Sequence, residues 1–223
     1  MLLHNGDHLA QPEFHRRYEA YPEDVKFELV GGIVYVASPL CRSHGRRHSQ
    51  LGSILQRYSE ETQGVETLDN VTTILGEESE PQPDLALRIL SEYGGQSRET
   101  ADDYVEGPPE LVAEVAHSTR AIDLHQKRLD YQQAGVREYL VLCIECPELI
   151  WFGFRSRGRI VPDGDGVCRS RVFPGLWIDA PALLAGVGAQ QSAVLRKGLS
   201  SPEHSAFVRR LQRRHEKLRG KRT

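Results

Sequence analysis

The chain has 223 residues, of which 39% are hydrophobic and 26% are charged, and its formal net charge is −3. This balance is typical of a folded chain with one apolar core and an appendage, and it excludes a largely disordered protein. No apolar run reaches the roughly 20 residues that span a bilayer. The first residues lack the basic start and apolar centre of a signal peptide, so we expect a cytoplasmic protein.

Basic residues are concentrated at the C-terminal end. From Arg196 onward there are ten Lys or Arg and two acids, so the first 195 residues carry 18 basic and 29 acidic residues, a net charge of −11. Nucleic-acid-binding proteins usually present a basic surface, and here it would lie in the tail. A solvated basic helix without a partner explains the same composition. We predict a domain over 1–190 and a basic helix or frayed tail over 191–223.

The elements predicted for the N-terminal half begin with a short helix over 12–20 and a β-hairpin that turns at Gly31-Gly32. Helical spacing then extends over 43–63. Its repeating face carries His44, His48, Leu51, Leu55 and Tyr58. The segments "VETLDNVTTILG" and "PDLALRIL" predict two neighbouring strands.

In the C-terminal half, the polar segment 91–107 predicts a flexible loop with a short helical turn. The strand "ELVAEVA" follows, and then a helix of about four turns, with Ser118 or Thr119 as its cap and Gly135 as its end. A strand pair is predicted across Pro147, and "VFPGLWIDAPALLAG" closes the domain. Strands followed by a strand–helix–strand unit predict an α/β (α+β) fold, with a mixed central sheet flanked by helices.

Cys143 and Cys146 form a CxxC pattern, which is compatible with redox chemistry or zinc binding. However, the pattern continues the apolar run "YLVLCIEC" and does not open a helix, and no second CxxC follows. Buried thiols at a strand end fit better, and a thiol oxidoreductase is the alternative.

Three carboxylates lie at unexpected places. Pro83 delivers Asp84 at the start of an apolar strand, Glu114 interrupts a strand that is otherwise apolar, and Glu28 precedes the hairpin turn. A buried carboxylate is costly unless it is paired or bound to a cation, and Mg²⁺ prefers such oxygen ligands. For Asp84 alone, a turn or cap after a proline is an equally simple explanation.

The helix after Glu114 carries Asp123, Lys127 and Tyr131 at positions i, i+4 and i+8, which share one face. If that face packs on the sheet, the Lys127 ammonium reaches the carboxylates and offsets charge on a phosphate. An exposed salt bridge between Lys127 and Asp123 is the alternative.

The chain resembles the PD-(D/E)XK nuclease superfamily, in its bacterial Uma-two branch of restriction-endonuclease-like proteins. The resemblance covers about 12–185, and its motifs are "PEFHRRYEAYPEDVKFELVGGIVYVASP", "HGRRHSQLGSILQRY", "EPQPD", "PPELVAEVAHST", "DLHQKRLDYQQAGVREYLVL" and "PGLWID". It implies a restriction-endonuclease-like core with one metal site for Mg²⁺ or Mn²⁺, DNA as the substrate, and a homodimer.

By this resemblance, Asp84 and Glu114 match the motif acids and ligate the metal, with Glu28 as a further ligand. The usual lysine is replaced by Ala116, and Lys127 on the next helix takes its role. His48 and Tyr131 match auxiliary positions.

The leading hypothesis is therefore a Mg²⁺-dependent DNA endonuclease. The alternative is a catalytically silent nucleic-acid-binding or regulatory module on the same fold. Either protein would need basic residues for the phosphate backbone. The candidates are Arg42, Arg46 and Arg47 near the first long helix, and Arg209, Arg210, Arg213 and Arg214 in the tail.

Overall fold

The computed structural model describes residues 2–22, 25–37, 40–155 and 158–221. The last two residues of the predicted tail, and Ser38 and Pro39 of the resemblance, lie outside them. The strands are β1 (Phe27–Val30), β2 (Ile33–Val36), β3 (Val65–Asp69), β4 (Thr73–Ile74), β5 (Leu85–Ile89), β6 (Arg98–Glu99), β7 (Val105–Glu106), β8 (Leu111–Ala116), β9 (Glu138–Cys143), β10 (Glu148–Gly153), β11 (Gly158–Arg159), β12 (Val167–Arg169) and β13 (Trp177–Asp179). The helices are α1 (Gln11–Tyr18), α2 (Arg42–Glu60), α3 (Arg120–Ile122), α4 (Arg128–Ala134), α5 (Ala180–Ala185), α6 (Gly188–Leu199) and α7 (Pro202–Arg219).

A six-stranded mixed sheet in the order β11-β10-β9-β8-β5-β3 forms the centre of the fold. β8 and β9 run parallel, whereas the other neighbouring strands are antiparallel. A parallel pair needs a crossover connection, which α3 and α4 supply. The predicted mixed α/β sheet and its strand–helix–strand unit are confirmed.

β1 and β2 form the predicted hairpin. Gly31 and Gly32 have φ values of 58° and 74°, and a type I′ turn requires positive φ at both of its central residues. The hairpin packs on α1 through an apolar cluster that contains Phe14 and Phe27. Glu28 is therefore fixed in a rigid element.

The connection from β8 to β9 contains a π-helical turn over Asp123–Lys127, between α3 and α4. Gly135 ends α4 in the left-handed conformation, as predicted. Thr119 stands at the N-cap, as one of the two predicted residues, but its hydroxyl donates to Asp123 Oδ2 at 2.7 Å and accepts no hydrogen bond from the backbone of the first turn. The π turn was not predicted, and such turns are frequent at functional sites.

The two faces of the sheet carry separate apolar layers. The layer that contains α2 also contains Leu140 and Leu142 of β9, and we call it the α2 layer. The layer that contains Tyr131 of α4 also contains Tyr139 and Val141 of β9, and we call it the α4 layer. Because successive strand residues alternate between faces, each strand residue can be assigned to one layer.

Segment 91–107 differs from its prediction. It contains a 3₁₀ turn over Ser91–Tyr93, as expected, but also β6 and β7, which form a small sheet with β4. Strands of two residues show no periodicity, so the sequence pattern could not reveal them. Their pairing satisfies backbone groups that a free loop would leave to water.

The tail was predicted to be either a basic helix or a frayed segment. In the structure it is helical and contains α6 and α7. Leu195, Phe207 and Leu211 are buried in the α2 layer, so both helices pack on the main core. The domain division at residue 190 stays a prediction. No helix in the described ranges is both long enough and apolar enough to cross a membrane.

Cys143 ends β9 and is buried, whereas Cys146 is exposed in the following turn, and both thiols are free. Burial raises the pKa of Cys143, which is opposite to the shift of a reactive thiol. The predicted buried thiol is confirmed for Cys143 and is wrong for Cys146, because Cys146 lies beyond the strand.

Candidate active site

Asp84 and Glu114 lie side by side at the junction of β5 and β8. These antiparallel strands pair Leu85 with Ala113, so the next position along the ladder places Asp84 opposite Glu114. The Asp84 amide donates a hydrogen bond to Glu114 Oε2 at 3.3 Å. The structure therefore brings together the two acids that the motifs indicated.

Glu114 is held by two donors from the helix that follows β8. Its side chain is 5% exposed, and its Oε1 accepts from Lys127 Nζ at 3.0 Å and from Tyr131 Oη at 2.8 Å. An unpaired carboxylate in this core strand would cost several kcal/mol. These donors explain how Glu114 is accommodated, and they fix its orientation.

Lys127 lies at the end of the π turn and is buried between carboxylates. Its Nζ donates to Glu28 Oε1 at 2.8 Å and to Glu114 Oε1 at 3.0 Å, and Asp123 Oδ1 lies 4.0 Å away. The alternative of an exposed salt bridge between Lys127 and Asp123 is wrong, because the Lys127 side chain is only 8% exposed. Glu28 also accepts the Gln82 amide at 2.8 Å.

Asp84 is held by a residue that was not predicted as part of the site. Its Oδ2 accepts the Val115 amide at 2.7 Å and lies 3.3 Å from His44 Nε2. The His44 side chain is 8% exposed. The sequence placed His44 only on the repeating face of its helix. Its position one turn before His48, on the same helix face, is the sequence signal that points to it.

His48 contacts the backbone of Asp84. Its Nε2 lies 2.9 Å from the Asp84 carbonyl oxygen and 3.4 Å from Asp69 Oδ1. The His44 and His48 rings stack with centroids 6.0 Å apart. His48 therefore helps to position the start of β5.

The carboxylates respond differently to their surroundings. Burial raises the pKa of Glu114 well above its ordinary value, although Lys127 opposes the shift. Burial likewise raises the pKa of Asp123 to about 6. For Asp84, burial favours a higher pKa, but the hydrogen bonds from His44 and from the Val115 amide outweigh it and lower the pKa.

Lys127 remains a cation in this environment. Burial alone would lower its pKa, but Glu114, Glu28 and Asp123 outweigh that effect and raise it well above its ordinary value. A single ammonium thus faces several carboxyl groups. Burial is the main cause of the raised pKa values of Glu114 and Asp123, and repulsion from the neighbouring carboxylates adds to it.

The donor set of Asp84 and Glu114 fits a hard divalent cation. Among the described residues, Asp84 Oδ1 accepts no hydrogen bond, and Glu114 Oε2 accepts only the 3.3 Å bond from Asp84. Mg²⁺ takes one or two carboxylates and completes its shell with water and substrate phosphate. Within the described ranges, no cluster of three or more His, Cys, Asp or Glu side chains is arranged to hold a metal.

Glu28 was predicted as a third metal ligand. In the structure its Oε1 accepts hydrogen bonds from the Lys127 ammonium and from the Gln82 backbone amide. Glu28 therefore contacts Lys127 directly and helps to fix its position. Metal ligation by Glu28 stays a prediction.

The predicted arginines do not converge on the carboxylates. Arg46 is exposed, whereas the Arg47 guanidinium donates to the Leu183 carbonyl at 2.7 Å and also to the Leu184 carbonyl, at the end of α5. The predicted arginines of the tail are exposed on α7. They are Arg209, Arg210, Arg213 and Arg214. Helix α7 packs on the turn after β5, whereas Asp84 precedes β5, so the tail lies towards the opposite end of that strand.

Comparison with known proteins agrees with this geometry. The Uma2 family model, described as "Putative restriction endonuclease", matches residues 12–181. The fold is similar to the crystal structure of "a putative nuclease belonging to DUF820" from Anabaena variabilis ATCC 29413. The TM-score is 0.59 at 11% identity, over 76% of this chain and 96% of that chain. No curated protein matches.

The structural likeness, at 11% identity, shows the restriction-endonuclease-like fold alone. The family match supports a nuclease in general, a hydrolase that acts on nucleic acids. The family description names neither a metal nor a kind of nucleic acid.

Proposed function

The chain belongs to the Uma2 family, and from this premise we propose that it is a Mg²⁺-dependent DNA endonuclease that hydrolyses phosphodiester bonds. The observation that carries the proposal is the meeting of Asp84 and Glu114 beside a buried ammonium, that of Lys127. Two acids and one cation are the groups that phosphodiester hydrolysis needs for charge and position.

Asp84 and Glu114 would hold the metal ion, with Mn²⁺ as a possible replacement for Mg²⁺. When bound, the ion supplies Lewis acidity to the phosphate and lowers the pKa of water. The protein fixes both acids beforehand, because His44 and the Val115 amide hold Asp84 while Tyr131 and Lys127 hold Glu114. Fixed ligands do not have to reorganise when the substrate arrives.

Lys127 has one donor to spare. An ammonium has three N–H groups, and Glu28 and Glu114 accept two of them. The contact with Asp123, at 4.0 Å, is too long for a hydrogen bond. The third N–H is therefore available to a non-bridging phosphate oxygen or to the attacking water. Glu28 orients the ammonium for this role.

The test is cleavage of supercoiled plasmid with Mg²⁺, with Mn²⁺ and with EDTA. We expect Asp84→Asn and Glu114→Gln to reduce the rate by roughly 100-fold or more, as the loss of a charge-stabilising group does. Asp165→Asn is the matched control, because Asp165 is exposed and makes no ion pair among the described residues. Calorimetry should show that Glu114→Gln loses the Mg²⁺ binding of the wild type. Wild-type cleavage by Asp84→Asn, or cleavage in EDTA, would contradict the proposal.

The substrate is tested in the same assay with single-stranded DNA and RNA of matched sequence. Cleavage of RNA but not DNA would retain the nuclease and overturn the choice of DNA. Salt-sensitive DNA binding without any turnover in Mg²⁺ or Mn²⁺ would instead identify the silent binding module.

A further inference from the structure

Four arginine side chains line a cavity of about 260 Å³ that belongs to no part of the candidate active site. They come from the start of β9, the end of β10, the turn after β12, and α7. They are Arg137, Arg155, Arg171 and Arg210, and we call this cavity the arginine pocket.

The sheet separates the arginine pocket from the candidate active site. Glu138 lines the pocket and lies three positions before Val141, which pairs with Glu114 across β8 and β9. Three strand residues span about 10 Å. Glu138 points into the α2 layer with Leu140, whereas Glu114 points into the α4 layer. A ligand in the pocket would therefore lie on the opposite face of the sheet from the Glu114 side chain.

The arginine pocket is positively charged. Within the described part of the chain, Arg137, Arg155 and Arg210 form no ion pair with a carboxylate. Glu138 is the one acid among the described lining residues. It is 1% exposed, and its oxygens accept hydrogen bonds from a hydroxyl and two backbone amides. Three lining arginines thus have no carboxylate ion pair among the described residues, and the one described lining acid is already hydrogen-bonded.

Two of the arginines are held in place before any ligand binds. Arg137 Nε donates to Gln96 Oε1 at 3.0 Å, and the Arg210 guanidinium lies 5.0 Å from the centroid of the buried Phe207 ring. Burial lowers the pKa of Arg137; the charge of Glu110 opposes this shift, and the charges of Arg155 and Arg214 add to it. Gathering like charges in a partly buried place is unfavourable without an anion, so the pocket is suited to one.

We propose that the arginine pocket binds a phosphate group of a nucleic-acid strand. A guanidinium presents a planar fork of donors that matches two phosphate oxygens, and several forks can surround one phosphate. The exposed basic side chains continue from Arg210 along α7, an 18-residue helix about 27 Å long, which suits a polyanion better than a single ion. The choice of nucleic acid rests on the proposed function, whereas anion binding by the pocket does not.

The experiment measures fluorescence anisotropy of a labelled single strand of about 20 nucleotides in EDTA, at several salt concentrations. We expect Arg155→Ala and Arg210→Ala each to weaken binding about fivefold or more and to reduce the salt slope by about 0.7. Arg57→Ala is the matched control, because Arg57 is exposed on α2 and does not line the cavity. It should change the affinity by less than about twofold.

Equal losses for Arg57→Ala and Arg210→Ala would mean diffuse attraction and would overturn the proposal, as would no loss in either pocket variant. Two pocket variants are measured so that the result does not depend on one of them folding. Circular dichroism checks that each variant is folded. Inorganic phosphate is titrated separately. If the pocket variants lose phosphate binding but keep the affinity for the oligonucleotide, the nucleic-acid ligand is wrong.

The two proposals fail separately. Oligonucleotide affinity is measured in EDTA and cleavage is measured with Mg²⁺, so each proposal has its own readout. In one outcome, the wild type cleaves no substrate while the pocket variants bind the oligonucleotide more weakly than the wild type does. In that case only the endonuclease proposal fails.

Discussion

Replacing Lys127 by Met would remove the ammonium at the centre of the carboxylates and keep most of the aliphatic stem. The ammonium lies 2.8 Å from Glu28 and 3.0 Å from Glu114. At an effective dielectric constant of about 20, each contact corresponds to roughly 5–6 kcal/mol of Coulomb attraction, before the cost of desolvation. Removing one partner of a buried ion pair costs about 3–5 kcal/mol, and we expect Lys127→Met to lose about that much stability at pH 8.

This loss should depend on pH in a defined direction. Without Lys127, burial still raises the pKa of Glu114 above its ordinary value of 4.5. A carboxyl group with a raised pKa in the folded state binds a proton on folding, so its burial costs little below pH 4.5 and progressively more as the pH rises towards the folded-state pKa. The destabilisation by Lys127→Met should therefore be smaller at pH 5.5 than at pH 8.

The assay is urea unfolding in EDTA at both pH values, followed by the fluorescence of the buried Trp151. EDTA prevents a divalent ion from replacing the ammonium. Lys26→Met is the matched control, because Lys26 is exposed just before β1, and it should shift stability by less than about 0.5 kcal/mol. A variant as stable as the wild type at pH 8, or an equal loss at both pH values, would refute the electrostatic argument.

Three further predictions follow from single contacts. Tyr131→Phe removes one donor to Glu114 and should reduce the cleavage rate at saturating Mg²⁺ more than it raises KM, which steady-state kinetics would separate. Arg47→Met leaves two carbonyls at the end of α5 without their donor and should cost about 1–3 kcal/mol in thermal or urea unfolding. With a thiol reagent, the exposed Cys41 and Cys146 should react quickly in the native protein and the other two cysteines only on unfolding; four fast thiols would contradict the burial.

Much of the site could be predicted because short-range periodicity fixes which face a side chain takes. Alternation along β8 sets Glu114 apart from its neighbours, and the i, i+4, i+8 spacing puts Lys127 and Tyr131 on one face of a helix. Periodicity does not tell whether that face packs inward, so it is compatible with an exposed Lys127 as well as with a buried one. His44 illustrates the limit: its carboxylate partner comes from β5, 40 positions away, and no local pattern encodes such a contact.

The charge distribution imposes a condition on how a phosphate backbone approaches this site. The first 195 residues carry a net charge of −11, and Lys127 is already shared between Glu28 and Glu114. The arginines of α7 and of the arginine pocket lie away from Asp84, so they cannot neutralise a phosphate there. Repulsion between the backbone and the acids must be offset locally by a cation held on those same acids. The two carboxylates and the cation between them would thus determine how the scissile phosphate binds and reacts, whereas the arginine pocket would hold another phosphate of the strand independently of the metal.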